Sequence, residues 1–185
     1  SITEALGIDS KNTLESLAKI KTVAGKMEKI EADQDFTVLV DYAFEPKALS
    51  ALYENLRHFN YQRLIHILGS TGGGRDQSRR QILGNLAGKE ADIVIVTNED
   101  PYDEDPQIII DQVAYGAENA GKEVDKNLFK VLDRRESFHL AFKLAKANDL
   151  VLITGKGAEQ YICGKNEQKF AWDDRKVAKE ELERL

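Results

Sequence analysis

Cysteine, histidine and long apolar runs are scarce in this chain of 185 residues. The single cysteine, Cys163, cannot form an intramolecular disulfide, and with three separated histidines it does not supply the usual ligands of a structural zinc site. No stretch approaches the roughly 18 apolar residues of a membrane helix, and the first residues lack the basic and apolar segments of a secretion signal. We therefore expect a cytoplasmic protein that has no membrane span and no structural metal.

Positive charge is also in deficit, since 26 Lys and Arg face 32 Asp and Glu and leave a net charge of -6. Binding to a nucleic-acid backbone relies on clustered basic residues, so nucleic acid is not expected as a partner. Hydrophobic residues make up 42% of the chain, which is enough for one well-buried domain.

Short apolar runs recur along the chain at the spacing of βα units. The five runs are Phe36–Val40, Leu64–Leu68, Ile93–Thr97, Leu128–Leu132 and Leu150–Thr154. Their continuous apolarity is typical of strands buried on both faces, and Met27–Ala32 could add an antiparallel edge strand. Helical spacing is present from Pro46 to Arg57, from Pro106 onward, from Arg134 to Ala147 and from Asp173 to Leu185. The pattern predicts a three-layer α/β fold with a mostly parallel sheet of about six strands and helices on both faces.

The run Gly69–Asp76 directly follows one of these apolar segments and has the glycine spacing of a phosphate-binding P-loop. Arg75-Asp76 stands where that motif has Lys followed by Ser or Thr. Asp76 offers no hydroxyl to magnesium and repels phosphate. We therefore expect the loop to present Arg75 to an anion and not to hydrolyse a nucleotide by itself.

Polar residues and glycines follow the predicted strands, at the edge where ligands bind in open α/β sheets. They lie in the segments 41–46, 69–76, 98–106 and 155–159. This edge gathers a guanidinium, a lysine, several carboxylates and glycines, a set that suits a zwitterion with carboxylate and ammonium groups. No Gly-x-Ser-x-Gly or His-Glu-x-x-His motif supports a self-contained hydrolase.

Several of these residues also have an ordinary structural interpretation. Arg75 could be a solvated partner of Asp76, and Lys156 is either solvated or anion-binding. His66 lies inside an apolar strand and is expected to be a core histidine, while Cys163 is expected to be a small buried residue. Solvated capping roles are favoured for Asp103, Glu104 and Asp105.

With these motifs, the chain resembles the carboxyl-terminal domain of the Mur ligases, in particular the UDP-N-acetylmuramoyl-tripeptide synthetases. The resemblance rests on an ordered series of motifs from about residue 22 to 178. The series is Gly25-Lys26-Met27-Glu28, Asp41-Tyr42-Ala43-Phe44-Glu45-Pro46, Gly72-Gly73-Gly74-Arg75-Asp76 with Arg79-Arg80, Asn98-Glu99-Asp100-Pro101, Gly155-Lys156-Gly157-Ala158-Glu159 and Trp172-Asp173-Asp174-Arg175.

The resemblance implies a Rossmann-like domain that supplies the incoming amino acid to an ATP-dependent ligase. In that family ATP, with Mg²⁺, phosphorylates the carboxylate of a UDP-N-acetylmuramoyl dipeptide, and the amine of the third residue attacks the acyl phosphate. By resemblance, Arg75 holds the α-carboxylate of the amino acid, while Asp100 and Glu159, next to Gly155, read its distal ammonium. No catalytic residue is expected within this domain alone.

The resemblance also implies contacts to the nucleotide. Lys26 matches a family arginine that reaches toward the phosphates, and Asp41 and Tyr42 match residues near the ribose or base. Phe44 replaces a family histidine, so aromatic contact to adenosine is retained and a hydrogen bond is lost.

A second departure concerns the choice of amino acid. The Asp-Asn-Pro-Arg motif of diaminopimelate enzymes is replaced by Glu99-Asp100-Pro101-Tyr102, so the arginine partner of a second carboxylate is missing. A side chain that ends in ammonium alone, such as that of lysine or ornithine, is therefore favoured.

The resemblance divides the chain at residue 22. Residues 1–22 are expected to be the tail of the central ATPase domain or a linker helix, and residues 23–185 the Rossmann-like domain. Because the amino-terminal and central domains of the family are absent, this polypeptide is not expected to ligate alone. Two alternatives stay open, a non-catalytic module that binds a nucleotide or amino acid and a folylpolyglutamate-type ligase domain.

Overall fold

The computed structural model describes residues 2–19 and 23–185. Its helices are α1 (Ile2–Ala5), α2 (Ser10–Leu17), α3 (Pro46–Leu56), α4 (Ser78–Glu90), α5 (Pro106–Glu118), α6 (Arg134–Leu144) and α7 (Asp174–Leu182). Its strands are β1 (Glu28–Ile30), β2 (Thr37–Asp41), β3 (Leu64–Leu68), β4 (Ile93–Thr97), β5 (Leu128–Val131), β6 (Leu150–Thr154), β7 (Tyr161–Cys163) and β8 (Lys169–Ala171).

Six strands form one sheet in the order β1-β2-β6-β3-β4-β5, in which β1 alone is antiparallel to its neighbour. The three-layer α/β fold with a mostly parallel sheet is thus confirmed, and so is the antiparallel edge strand. Because β6 returns between β2 and β3, residues that follow three different strands meet at one edge of the sheet. The antiparallel pair β7-β8 was not predicted from the sequence.

Two apolar cores cover the two faces of the sheet, because successive strand residues point to opposite sides. On one face, leucines of the strands such as Leu39 and Leu152 pack with buried residues of α3, α4 and α5. On the other face, residues such as Val38 and Ile153 pack with α6 and α7. The strands are therefore buried on both sides, as their continuous apolarity predicts.

A buried ion pair fastens α7 to the functional edge of the sheet. The Arg134 guanidinium donates to the Asp174 carboxylate at 2.7 and 2.8 Å, and Trp172 Nε1 donates to the same carboxylate at 2.7 Å. Arg134 also donates to the backbone carbonyls of Asn98 and Thr154, which lie at the ends of β4 and β6. This one side chain thus fixes the starting points of two loops that build the site.

The amino-terminal helices α1 and α2 contain no buried residue. Helix α2 lies within the segment 1–22 for which a domain tail or linker helix is expected, and residues 20–22 of that segment lie outside the described residues. Among the described residues, no helix is both long and apolar enough to cross a membrane.

Candidate functional site

A cleft of about 260 Å³ opens at the carboxyl edge of the sheet, above the ends of β2, β3, β4 and β6. It is lined by Tyr42, Phe44, Glu45, Thr71, Arg75, Arg79, Glu99, Asp100, Tyr102, Gly155 and Glu159. We call this space the acceptor cleft. All four substrate-binding residues predicted from the sequence, Arg75, Asp100, Gly155 and Glu159, line it.

Arg75 lies on the exposed rim of the acceptor cleft. Its guanidinium forms no ion pair within the described ranges 2–19 and 23–185, while the Asp76 carboxylate turns away and accepts from the Ser78 backbone amide at 2.9 Å. Burial and the hydrogen bond with Cys163 raise the pKa of Tyr102. Arg75 also interacts with the Tyr102 hydroxyl, and this interaction offsets part of that rise. The alternative that Arg75 pairs with Asp76 is therefore wrong, and its charge is available at the rim.

The glycines of the loop let it approach Tyr102 closely. A Cβ on Gly73, whose φ is +65°, would lie 2.7 Å from Tyr102 Cδ2. A Cβ on Gly72 would lie 2.2 Å from the Pro101 carbonyl oxygen. The glycines therefore serve close packing against the loop after β4, which places Arg75 beside the acceptor cleft.

Lys156 is buried, contrary to the expectation that it is solvated or free to bind an anion. Its side chain is 1% exposed, and its ammonium donates to both oxygens of Asp100 at 2.8 Å and to Glu159 Oε2 at 2.6 Å. Burial works against the charged form, but the hydrogen bonds with Asp100 and Glu159 outweigh it and raise the pKa of Lys156. The flanking glycines allow the chain to turn inward here, since φ is +108° at Gly155 and +53° at Gly157.

The two carboxylates that share Lys156 differ in their access to the cleft. Asp100 is 9% exposed and also accepts from the Cys163 backbone amide at 2.7 Å. Glu159 is 40% exposed and accepts from the Tyr42 hydroxyl at 2.7 Å. That hydrogen bond, together with burial, raises the pKa of Tyr42 to about 12, so Tyr42 remains a donor to Glu159. Glu159 is therefore the more accessible of the two carboxylates.

Arg79 also lines the acceptor cleft, although it was not among the site residues predicted from the sequence. Its side chain is 8% exposed, bonds to Glu45 and Thr71, and lies 5.7 Å from the centre of the Phe44 ring. The adjacent Arg80 is buried as well and donates to Glu104 at 2.9 Å. Glu104 is thus an ion-pair partner and not a solvated cap, whereas Asp105 does cap α5 through the Gln107 amide. Two consecutive arginines at the start of α4 were the available signal.

A second groove of about 260 Å³ adjoins the acceptor cleft and shares Tyr42, Phe44 and Glu45 with it. All four residues predicted to contact the nucleotide, Lys26, Asp41, Tyr42 and Phe44, line this groove. The Lys26 ammonium lies 4.7 Å above the centre of the Tyr42 ring, and the Tyr42 and Phe44 rings meet edge to face at 5.1 Å. Asp41 is buried, and its carboxylate accepts from the backbone amides of Met27 and Ala43 at 2.8 and 2.7 Å. The exposed surface of the groove is therefore aromatic and cationic.

The remaining polar candidates lie away from the cleft lining. His66 is a buried core histidine as predicted, between the hydroxyls of Tyr53 and Thr154 at 2.7 and 2.9 Å. Burial lowers its pKa to about 3. Cys163 is half-buried in β7, which corrects the expectation of full burial. Within the described part of the chain, no group of three or more His, Cys, Asp or Glu side chains is arranged to hold a metal ion.

Comparison with known proteins finds one matching family model, described as "Mur ligase, glutamate ligase domain", over residues 25–157. A UDP-N-acetylmuramoyl-L-alanyl-D-glutamate–2,6-diaminopimelate ligase of Syntrophomonas wolfei is 40% identical over 95% of this chain. A UDP-N-acetylmuramyl-tripeptide synthetase of Borreliella burgdorferi is 38% identical over 96% of it. The chain spans about a third of the length of these relatives, 35% and 34% respectively.

Solved structures of such ligases share the fold of this chain. A structure of a UDP-N-acetylmuramoyl-L-alanyl-D-glutamate–2,6-diaminopimelate ligase matches 99% of this chain with a TM-score of 0.77 and 28% identity, over 36% of its own length. A folylpolyglutamate synthase of Mycobacterium tuberculosis matches 83% of this chain, over 34% of its own, with a TM-score of 0.63. At 21% identity the second likeness shows the shared fold alone.

Proposed function

The chain belongs to the Mur ligase family, and from that premise we propose that it is the acceptor-binding domain of an ATP-dependent peptide ligase. In this proposal it binds a diamino acid and presents the α-amine to the acyl phosphate of a UDP-N-acetylmuramoyl dipeptide. The proposed location of this reaction is the cytoplasm. The chain spans about a third of its relatives, so the proposal gives the ATPase function to a separate domain.

The distribution of charge in the acceptor cleft carries the proposal. Arg75, which has no ion-pair partner among the described residues, lies on the rim, and Glu99, Asp100 and Glu159 line the same cleft. A zwitterionic amino acid needs a cation for its carboxylate and anions for its ammonium groups. With the α-carboxylate at Arg75, the α-nitrogen and the distal nitrogen of the amino acid would face Glu99, Asp100 and Glu159. This placement would orient the nucleophile before reaction.

The proposed preference for lysine or ornithine rests on the acidic side of the cleft. The cluster of Asp100, Glu159 and Lys156 keeps one net negative charge, and Glu159 is the exposed member that can receive a distal ammonium. The second cleft arginine, Arg79, is already bonded to Glu45 and Thr71. A second carboxylate, as in diaminopimelate, therefore lacks a free cation among the residues that line the cleft.

The adjoining groove fits a nucleotide that is bound mainly in another domain. Tyr42 and Phe44 would contact the base, and Lys26 would reach the phosphates. Asp41 accepts hydrogen bonds from backbone amides, so its role is to stabilise the conformation of this loop. ATP would supply the phosphoryl group that activates the dipeptide carboxylate. The residues of this chain bind and orient the substrates, and ligation is proposed only together with the other domains of such a ligase.

A three-domain ligase that carries this chain as its last domain tests the proposal. We expect ATP-dependent addition of lysine or ornithine to a UDP-N-acetylmuramoyl dipeptide, with a lower kcat/KM for diaminopimelate. Arg75→Ala removes a charge-assisted hydrogen bond worth about 1.5–3 kcal/mol, so kcat/KM for the amino acid should fall by about 10- to 100-fold. Arg57→Ala is the matched control, because that arginine is exposed, directly follows α3 and does not line the cleft.

Other outcomes of the same assay separate the alternatives. Full activity of the Arg75→Ala variant would remove the assigned role of Arg75. Turnover of folates with no coupling of any UDP-N-acetylmuramoyl dipeptide would favour a folylpolyglutamate-type ligase, whose fold the chain shares. Binding of an amino acid without ligation of any substrate would favour a non-catalytic module.

A further inference from the structure

Four acidic side chains line the acceptor cleft, and they differ in whether a partner occupies them. Glu45 bonds to Arg79. Asp100 and Glu159 share the Lys156 ammonium, and they also accept from a backbone amide and a tyrosine hydroxyl. Glu99 is 3% exposed and has no side-chain hydrogen bond or ion pair with any residue that the structure describes. A buried and unpartnered carboxyl is unusual enough to require a physical reason.

The position of Glu99 is set by two glycines at the ends of neighbouring strands. It follows β4 by two residues, and its side chain lies against Gly155, after β6, and Gly69, after β3. A Cβ on Gly155 would lie 2.3 Å from Glu99 Oε2, and a Cβ on Gly69 would lie 3.0 Å from Glu99 Cβ. The absence of side chains at both glycines thus makes room for this carboxyl group in the wall of the cleft.

We propose that Glu99 is the proton acceptor that converts the α-ammonium of the bound amino acid into the attacking amine. The inference rests on the proposed function and deepens it. Arg75 and Glu99 line the same cleft of about 260 Å³, so an amino acid held by Arg75 shares this space with the Glu99 carboxyl. The other three cleft carboxylates are each paired with a cation, whereas neither oxygen of Glu99 has a donor among the described residues.

The proposed step conserves atoms and charge. One proton passes from the α-ammonium to Glu99, which leaves a neutral amine with a free electron pair. The amine nitrogen forms a bond to the carbonyl carbon of the acyl phosphate, and the bond between that carbon and the phosphate oxygen breaks. A second proton leaves the nitrogen with the departing phosphate as the amide forms. The proton on Glu99 then returns to solvent.

The surroundings of Glu99 suit an acceptor that works near neutral pH. Burial, reinforced by Asp100 and opposed by Arg134, Lys156 and Arg79, raises the pKa of Glu99 to about 7. A general base is most effective when its pKa lies near the working pH. Tyr42 also faces this region, and its own pKa of about 12 keeps it protonated over the range in which Glu99 titrates.

The test uses the three-domain ligase with Glu99→Gln, Glu99→Asp and the matched control Asp103→Asn, an exposed acid outside the cleft lining. General-base catalysis contributes about 10²- to 10⁴-fold, so Glu99→Gln should lower kcat by about 100-fold or more and change KM little. The acidic limb of the kcat–pH profile should disappear in this variant. Glu99→Asp should retain that limb at reduced kcat, and Asp103→Asn should behave like the unmodified enzyme.

Hydroxylamine distinguishes proton acceptance from binding, because it is largely neutral near pH 7 and needs no base. In the presence of hydroxylamine, Glu99→Gln should form the hydroxamate at the unmodified rate. An unchanged kcat and pH profile in Glu99→Gln, or an equal loss with hydroxylamine, would overturn the proposal. Failure of the unmodified enzyme to join any amino acid would instead overturn the proposed function. If Glu99→Gln does not fold, loss of the acidic limb in Glu99→Asp contradicts the proposal and its retention supports it.

Discussion

At the scale of single residues, Lys156 fixes the acidic side of the cleft because its ammonium is shared between Asp100 and Glu159. Removing it leaves two carboxylates close together, one of them buried and without its cation. We expect Lys156→Met to lower the free energy of unfolding by about 3–5 kcal/mol, the usual cost of breaking a buried pair from one side. Urea denaturation at pH 7 measures this difference.

Lys126→Met is the control, since Lys126 forms an ion pair of similar length, 2.8 Å to Glu123, but is 68% exposed. Its loss should cost about 0–1 kcal/mol. Equal costs for the two variants would contradict the assigned role of Lys156.

The sequence places Lys156 between two glycines but does not show which way its side chain points. Positive φ at Gly155 and Gly157 turns the chain inward there, and this depends on contacts with Glu99 and Tyr42 from other loops. For the same reason the sequence does not single out Glu99, because the adjacent residue Asp100 carries the same charge and also follows β4. Arg75, Asp100, Gly155 and Glu159 could be predicted to meet, since all follow strands that end at one edge.

At the scale of elements, α4 and α5 pack through glycines and not through an apolar stripe. A Cβ on Gly84 would lie 1.8 Å from the Val113 carbonyl oxygen. A Cβ on Gly116 would lie 2.1 Å from the Gln81 carbonyl oxygen. Because α4 makes this contact through glycine, it has no apolar stripe that the sequence could reveal. Helical spacing is evident in α3 and α5. The β7-β8 hairpin escaped prediction because each strand has three residues and only Ile162 among them is buried.

Gly84→Ala should therefore separate the two helices. In an isolated helix this change stabilises by about 1 kcal/mol, but overpacking here should cost about 1–3 kcal/mol or more. The expected net result is a lower midpoint in thermal or urea unfolding. Lys89→Ala on the exposed side of α4 should change stability by less than about 0.5 kcal/mol, and a stabilised Gly84→Ala variant would refute the close contact.

At the scale of the whole molecule, two buried groups make opposite contributions to the pH dependence of stability. His66 has a pKa of about 3 when folded, below its ordinary 6.5, so its contribution to stability is lost as the pH falls from 6.5 toward 3. Glu99 has a folded pKa of about 7, above its ordinary 4.5, so its contribution is lost as the pH rises from 4.5 toward 7. Between pH 4.5 and 6.5 the two effects oppose each other.

Glu99→Gln should reveal this compensation. Its free energy of unfolding, relative to that of the unmodified protein, should rise with pH between 4.5 and 7, by at most about 1.4 kcal/mol per pH unit. Urea unfolding at several pH values measures the difference, with Asp103→Asn as the matched control. A difference that does not vary with pH would contradict a buried Glu99 that titrates near neutrality.

A crystal structure of the three-domain ligase with lysine bound would show whether this domain positions a diamino acid for attack. We predict the α-carboxylate within hydrogen-bond distance of the Arg75 guanidinium, the α-nitrogen at the Glu99 carboxyl and the distal nitrogen at Glu159. Lysine bound outside the acceptor cleft, or bound with its distal ammonium at Glu99 and its α-nitrogen at Glu159, would contradict the account.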